Sequence, residues 1–389
     1  MRKIRVLVVD DSVVIRRLLT DLLKEDPEIE VVGSASNGRL ALAKMTQVNP
    51  DLVTLDIEMP EMDGLATLPP LRKLYPRLPV IMFSTLTSRG AMSTLDALAR
   101  GATDYVTKPA NVGSVSAGMQ CVKEQLLPKI KALCPFNKAP QPASAPRISK
   151  VVGLTPALHI ARARRSYDIL AIGASTGGPQ ALTAVLKTLP ENLPVPTVIV
   201  QHMPPVFTKH LADRLNQESP LTVREAAGGE TLQPGYVYFA PGDYHMEVKR
   251  DGIAVKTVLH QAPPENSCRP AVDVLFRSVA NVYASGTLGV VLTGMGQDGL
   301  RGSEHIAQVG GTVIAQDEAS CVVWGMPRAV AEAGLANQVL PIAAISGEIT
   351  RLAWLGRNSQ GLAAKSAAPV ISPIAAPIST GIHPPAFRS

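Results

Sequence analysis

The sequence predicts an α/β protein made of two parallel-sheet domains in series. Short apolar runs rich in β-branched residues alternate with amphipathic stretches over the first third of the chain, and the alternation restarts at residue 168. Between the two series, Pro135 to Ser166 carries five prolines, many alanines and several basic residues without a sustained apolar period. Continuous apolar strands separated by helices mark a sheet covered on both faces. The proline-rich stretch reads as a partly extended linker. A chain of 389 residues, 46% of them apolar, is long enough to build two cores.

In the first series the strand runs are Ile4–Val9, Val31–Ala35, Leu52–Leu55, Val80–Phe83 and Tyr105–Thr107. Helical periodicity falls on Val14–Lys24, Leu40–Gln47 and Ser93–Ala99, with a closing helix near Met119–Ala132. Within the linker, Ala157–Arg165 has helical character. The second series opens at Asp168-Ile169-Leu170-Ala171-Ile172. Its further strand candidates are Thr197–Val200, Leu221–Arg224, Tyr236–Phe239, Leu288–Leu292 and Thr312–Ala315. Its helix candidates are Gln180–Leu189, Thr208–Gln217, Val272–Tyr283 and Ser303–Val309. Met246–Lys249 and Ile253–Thr257, joined through Arg250-Asp251-Gly252, read as a β-hairpin. From about Ser359 the chain is rich in Ala, Pro, Ser and Ile, the composition of a disordered tail. The expected organisation is a first domain over 1–125, a linker over 126–166, a second domain over 167–355 and a tail over 356–389.

Composition narrows the function classes. Aromatic residues are 4% of the chain, too few for a base-stacking platform. The net charge is +6, but much of the basic excess lies in the linker between Arg147 and Arg165, not on a recognition helix. No nucleic-acid partner is expected. Cys121, Cys134, Cys268 and Cys321 are scattered without zinc-ligand spacing, which fits reduced thiols. The apolar run at the N-terminus is too short for a signal peptide or a membrane span, so a cytoplasmic protein without membrane insertion is expected.

Three acids sit at predicted strand ends in the first domain. Asp10 and Asp11 follow the first strand and Asp56 follows the third. Parallel strands bring such ends to one edge of the sheet. Clustered carboxylates repel unless a hard cation joins them, and Mg²⁺ suits oxygen ligands that must leave room for phosphate exchange. A carboxylate beside it could accept a phosphoryl group. Ser84 ends the fourth strand, where a hydroxyl could bind a phosphoryl oxygen. Lys108 ends the fifth and supplies a compact positive charge, with Pro109 placed to fix its turn. Any one acid at a strand end is more often an ordinary loop residue; five fitting residues gathered at four of the five strand ends are not.

In the second domain an apolar strand runs into Gly173-Ala174-Ser175-Thr176-Gly177-Gly178-Pro179. Glycines around a serine between strand and helix allow a sharp turn with the hydroxyl exposed near a helix N-terminus. A structural glycine turn and a dinucleotide loop are the competing readings. A dinucleotide site calls for an acid at the end of the next strand, whereas Thr197–Val200 leads into Gln201-His202-Met203-Pro204. His202 is thus the candidate base, while His210 lies on an amphipathic helix and reads as surface or packing. Asp298, in Thr293-Gly294-Met295-Gly296-Gln297-Asp298-Gly299, is the candidate carboxylate, and it is equally placed to cap the next helix. The glycines around Met295 free backbone N–H groups to point inward as an oxyanion hole requires.

Val9-Asp10-Asp11-Ser12, Asp56-Ile57-Glu58-Met59-Pro60, Ser84 and Lys108-Pro109 together resemble a two-component receiver domain. The second-domain motifs, with Cys268-Arg269-Pro270-Ala271-Val272-Asp273-Val274-Leu275-Phe276, resemble the catalytic domain of the chemotaxis methylesterases. The resemblance implies a flavodoxin-like (βα)₅ receiver and a doubly wound, mainly parallel catalytic domain with a β-hairpin. It implies that Asp56 takes phosphate from a chemotaxis histidine kinase and that Asp10, Asp11 and Asp56 hold Mg²⁺. Ser84, Tyr105 and Lys108 would form the switch; without the resemblance, Tyr105 is only a half-buried strand aromatic. Ser175, His202 and Asp298 would hydrolyse glutamate methyl esters, and deamidate glutamines, on methyl-accepting chemotaxis receptors. Met295 and Thr176 would shape that site, with no cofactor for the hydrolysis. A receiver-linked DNA-binding regulator and a non-catalytic receptor adaptor are the rival functions; a strand-rich second half disfavours the first, and the serine–histidine–aspartate set disfavours the second.

Overall fold

The computed structural model describes residues 2–108, 115–135, 166–355 and 357, and Met1–Leu355 is one compact unit. The first sheet contains β1 (Ile4–Val9), β2 (Ile29–Ala35), β3 (Leu52–Asp56), β4 (Val80–Ser84) and β5 (Asp104–Thr107). The strands lie parallel in the order β2-β1-β3-β4-β5. Every residue of β3 and β4 is buried, as a sheet with two covered faces requires. The covering helices are α1 (Val13–Lys24), α2 (Gly38–Val48), α3 (Gly64–Leu74), α4 (Ser88–Ala99) and α5 (Val115–Leu133). Ser12, Asn37, Asp63 and Thr87 cap the first four, each side chain accepting a backbone N–H three residues on.

Helix α3 was not legible in the sequence because it contains Pro69 and Pro70. Proline lacks the N–H that a helix needs, and the Leu65 carbonyl that Pro69 would otherwise serve accepts Arg100 Nη1 at 3.3 Å. Burial of Leu68 and Leu71 outweighs the poor propensity. Helix α5 runs past the boundary expected at residue 125. Leu126 and Ile130 are fully buried in the core of the first sheet, so the helix completes that layer.

The second sheet has seven parallel strands, β6 (Ile169–Ala174), β7 (Thr197–Gln201), β8 (Thr222–Glu225), β9 (Tyr236–Phe239), β12 (Thr287–Val291), β13 (Thr312–Gln316) and β14 (Gln338–Leu340). Their order is β14-β13-β12-β6-β7-β9-β8. Between β9 and β12 the chain makes the antiparallel hairpin β10 (His245–Asp251) and β11 (Ala254–His260), a separate two-stranded sheet. Asp251 pairs with Ala254, so the tip is Gly252-Ile253 and not Arg250–Gly252. Ile253 reads as strand by type but is fully exposed at the turn, while Val255 and Thr257 take the buried face. Helices α6 (Gly178–Leu186), α7 (Phe207–Glu218), α8 (Val272–Tyr283), α9 (Leu300–Gln308), α10 (Met326–Glu332) and α11 (Ile342–Trp354) cover the large sheet. The sequence reading missed β14, α10 and α11; α11 buries Ile345, Ile349 and Leu352 at helical spacing. The linker over 136–165 with its Ala157–Arg165 segment, the turn at Pro109 and the tail lie outside the described residues, Arg357 excepted.

One apolar cluster runs through both sheets, with Leu98 and Tyr105 from the first and Leu182 and Phe207 from the second. The Tyr105 ring lies flat on the Phe207 ring, with centroids 4.8 Å apart and planes at 5°. Polar contacts flank the stack. Arg214 Nη1 lies 2.8 Å from Asp96 Oδ1, Ser88 Oγ lies 2.7 Å from His210 Nε2, and Gln180 Nε2 donates to the Ala102 carbonyl at 3.0 Å. His210, which reads as surface or packing in the sequence, packs at this interface.

Candidate active site and phosphoacceptor pocket

The carboxyl ends of β1 and β3 bring Asp10, Asp11 and Asp56 together, with one carboxylate oxygen from each lying within 4.8 Å of the other two. Asp10 and Asp56 are buried and Asp11 is exposed. Lys108, just after β5, places Nζ 2.7 Å from Asp56 Oδ2 and 3.2 Å from Asp10 Oδ2. Burial pushes the Asp56 carboxyl up to about 6, with Lys108 opposing the rise. Three oxygen donors on one edge, one open to solvent, fit a hard divalent cation. Ser84 lies at the end of β4 as expected, but its hydroxyl donates to the Gly90 carbonyl of α4 at 3.1 Å. Tyr105 is sandwiched between Phe207 and Lys129, whose Nζ lies 5.2 Å from the ring centroid.

Across the second sheet, Ser175 follows β6 and is half-buried. Gly177 opens α6 at φ 76°, where a side chain would be strained and would meet Val322. Ser175 N donates to the Thr293 carbonyl at 3.0 Å, which ties the turn to the loop after β12. A Cβ on Gly294 would lie 2.9 Å from Ser175 Cβ, so only glycine lets this loop lie against the serine. Met295 follows, and its N–H has no hydrogen-bond partner among the described residues. Thr176 is buried, its carbonyl accepting Thr293 Oγ1 at 2.9 Å.

His202 follows β7, and its N–H extends the β6–β7 ladder to the Ala174 carbonyl at 3.1 Å. The buried Gln201 side chain secures the pair, Nε2 donating to the carbonyls of Ser175 at 2.9 Å and His202 at 3.3 Å. His202 Nε2 lies 2.8 Å from Asp298 Oδ2. That oxygen also accepts Val272 N at 2.7 Å, while Oδ1 accepts Asp273 N at 3.0 Å, Gly299 N at 3.0 Å and Asn266 Nδ2 at 2.9 Å. Asp298 therefore holds the start of α8, not that of α9, whose cap is Gly299. Burial raises its carboxyl, but hydrogen bonds from His202 and the backbone outweigh burial and lower it. Burial likewise lowers His202, yet its hydrogen bonds to Asp298 and to Cys268 raise it to about 10.

The expected hydroxyl–imidazole–carboxylate chain is closed between His202 and Asp298. It is open at Ser175, whose Oγ makes no hydrogen bond among the described residues. Nδ1 of His202 instead lies 3.5 Å from Cys268 Sγ. The sequence reading missed Asn266, Gln201 and the role of Cys268. Asn266 and Ser267 adopt φ of 52° and 61°, a conformation that asparagine tolerates better than most residues. That turn lets Asn266 Nδ2 reach both Asp298 and Asp273 Oδ2, each at 2.9 Å. Asn266→Ala is expected to lower kcat by about 10- to 100-fold, the effect of losing a hydrogen bond to a charged group, with little change in KM. Steady-state hydrolysis kinetics, with circular dichroism as a folding control, measure it.

An acidic pocket at the edge of one parallel sheet and a serine–histidine–aspartate cluster at the edge of another, in layers joined through α4, α6 and α7, are the features of a receiver-regulated hydrolase. Residues 6–118 match the response regulator receiver domain family and residues 170–349 match the CheB methylesterase family. The chain is 55% identical to a protein-glutamate methylesterase/protein-glutamine glutaminase of Nocardioides sp., over 90% of this chain and 96% of that one. It is 52% identical to the protein of the same name from Trichodesmium erythraeum, over 90% and 99%. The crystal structure of the Thermotoga maritima CheB methylesterase catalytic domain aligns at 48% identity and a TM-score of 0.47, covering 48% of this chain and 99% of that one. This chain belongs to the protein-glutamate methylesterase/protein-glutamine glutaminase family.

Proposed function

We propose that Ser175, His202 and Asp298 are the hydrolytic triad of this phosphorylation-regulated chemotaxis adaptation enzyme, and that Asp56 is its phosphoacceptor. The enzyme is a protein-glutamate methylesterase and protein-glutamine glutaminase. The observation that carries the site assignment is the 2.8 Å His202–Asp298 bond beside the serine turn. Ser175 Oγ attacks the side-chain carbonyl of a methylated glutamate or a glutamine while His202 takes its proton. Asp298 orients the ring and stabilises its cation. The Met295 N–H, which has no other partner among the described residues, holds the developing oxyanion, an interaction worth about 3–4 kcal/mol. His202 returns the proton to the leaving methanol or ammonia, and water then releases the glutamate carboxylate. The substrates are methyl-accepting chemotaxis receptors. A methanol-release assay on methylated receptor membranes tests this reading; receptor binding without release would leave an adaptor.

In the first domain, Asp10, Asp11 and Asp56 would hold Mg²⁺, which when bound offsets negative charge around the transferred phosphoryl group. Phosphate comes from a chemotaxis histidine kinase, and Lys108 pairs with the phosphorylated Asp56. Ser84 then exchanges the Gly90 carbonyl for a phosphoryl oxygen, which loosens α4 where it faces α6 and α7. Tyr105, stacked on Phe207, links the same event to the hydrolytic domain, so phosphorylation shifts the population toward an open site. Asp56→Asn is expected to abolish stimulation by a phosphodonor and keep the low unstimulated rate. Methanol release with and without a small acyl phosphate measures it, and a normal response in the variant would end the control model. The receiver domain ends near residue 135, after α5, and the hydrolase domain occupies 167–355. Among the described residues no helix is long and apolar enough to cross a membrane.

A further inference from the structure

We infer that Cys268 is a positioning residue for the general base: in the unphosphorylated protein its thiol engages His202 Nδ1, and Ser175 gains its base only when that contact is released. The inference rests on the triad reading above and goes beyond it. An imidazole has two nitrogens, and which of them can take a proton is set by what the other holds. Nε2 is committed to Asp298 at 2.8 Å, so Nδ1 alone is left to receive the Ser175 proton. Cys268 Sγ stands 3.5 Å from Nδ1, within hydrogen-bonding range for sulfur. Ser175 Oγ meanwhile has no hydrogen-bond partner among the described residues. Whether the thiol donates to a neutral ring or a cationic ring donates to sulfur, the Nδ1 position is taken.

The thiol is held there by a braced loop. Cys268 and Glu265 exchange backbone hydrogen bonds at 2.9 and 3.1 Å. Glu265 is anchored to Arg277 by two 2.6 Å bonds. On the other side Arg269 Nε donates to Asp243 Oδ1 at 3.0 Å, and Asp243 N donates back to the Arg269 carbonyl at 3.1 Å. The same loop carries Asn266 against Asp298. A single segment thus fixes the carboxylate through an amide and the imidazole through a thiol. The upward shift of His202 acts in the same direction, because a ring that keeps both protons is no base. Movement of this loop, or rotation of the ring about its bond to Asp298, would give Nδ1 to Ser175.

The test compares Cys268→Ala and Cys268→Ser with wild type, each as full-length protein, by methanol release with and without a small acyl phosphate. Cys268→Ala is expected to raise kcat of the unphosphorylated enzyme about fivefold, the effect of one modest hydrogen bond. KM should stay unchanged, and the stimulation factor should fall in proportion. Cys268→Ser keeps a hydroxyl at the position and should fall between the two. In ¹⁵N-histidine-labelled protein the Nδ1 resonance of His202 should move in the Ala variant, a readout that reports the contact even if turnover is compromised by misfolding. An unstimulated kcat within about twofold of wild type, a lower kcat in folded Cys268→Ala protein, or an unmoved Nδ1 resonance overturns the inference. Ser175→Ala is run alongside: if it stays active the triad reading itself is wrong, and if it is dead a failure at Cys268 counts against this inference alone.

Discussion

Ser175→Ala is expected to lower methanol release from methylated receptor membranes by about 10⁴- to 10⁶-fold, the range seen when a triad nucleophile is removed. Phosphorylation at Asp56 should be unaffected. The fold gives the reason for a clean result. Ser175 Oγ makes no hydrogen bond among the described residues, and the turn is held by backbone and glycine contacts: Ser175 N to Thr293 O, and Gln201 Nε2 to Ser175 O. Deleting one partly exposed hydroxyl should therefore change stability by no more than about 0.5 kcal/mol. Thr176 is a poor substitute nucleophile because it is buried and its backbone is tied to Thr293. Deamidation of receptor glutamine should fall by the same factor, since both reactions begin with the same attack. Retention of more than about one hundredth of wild-type release would point to another nucleophile, and loss of only one activity would point to two sites.

What the sequence disclosed was set by strand ends. A parallel sheet gathers the carboxyl termini of its strands on one edge, so residues far apart in sequence, such as Asp10, Asp56 and Lys108, were readable as one pocket. The same logic placed Ser175 and His202 after adjacent strands β6 and β7. It failed where position depends on a loop or on a second domain. Asn266 and Cys268 reach the site through a left-handed turn between β11 and α8, a conformation with no periodic signature. The contact of Tyr105 with Phe207 joins two independent periodic patterns, and neither pattern specifies the other. Ser84 was placed correctly at the end of β4, but its choice of the Gly90 carbonyl depends on how α4 begins. Pro69 and Pro70 concealed α3 because local propensity opposed a helix that burial supports.

Asp298→Asn should cost about 10⁴-fold in kcat, as loss of the orienting carboxylate does in other triads, and should destabilise the fold as well. All five hydrogen bonds to this carboxylate come from N–H groups: His202, Val272, Asp273, Gly299 and Asn266. An amide turns its own N–H₂ toward some of those donors whichever way it is placed, and it leaves His202 without a counter-charge. Breaking a buried pair in this way costs about 3–5 kcal/mol. The pH dependence identifies the origin of that cost. His202 is raised from 6.5 to about 10, so its share of the stability is fully present below pH 6.5 and is lost as pH climbs through about 10. Asp298 is lowered from 3.8, so its share is present above the ordinary carboxylate range and is lost only in stronger acid. In the variant the buried ring loses the Asp298 carboxylate, the foremost of the contacts that raise its pKa, while the burial that lowers it remains. The stability gap between wild type and Asp298→Asn should therefore be widest from about pH 5 to 7 and should narrow as the pH passes about 10. Urea unfolding midpoints of the two proteins across that range measure it. A gap that persists undiminished above pH 10 would assign the cost to the five N–H contacts alone, and would remove the charged His202–Asp298 pair as the element holding the site together.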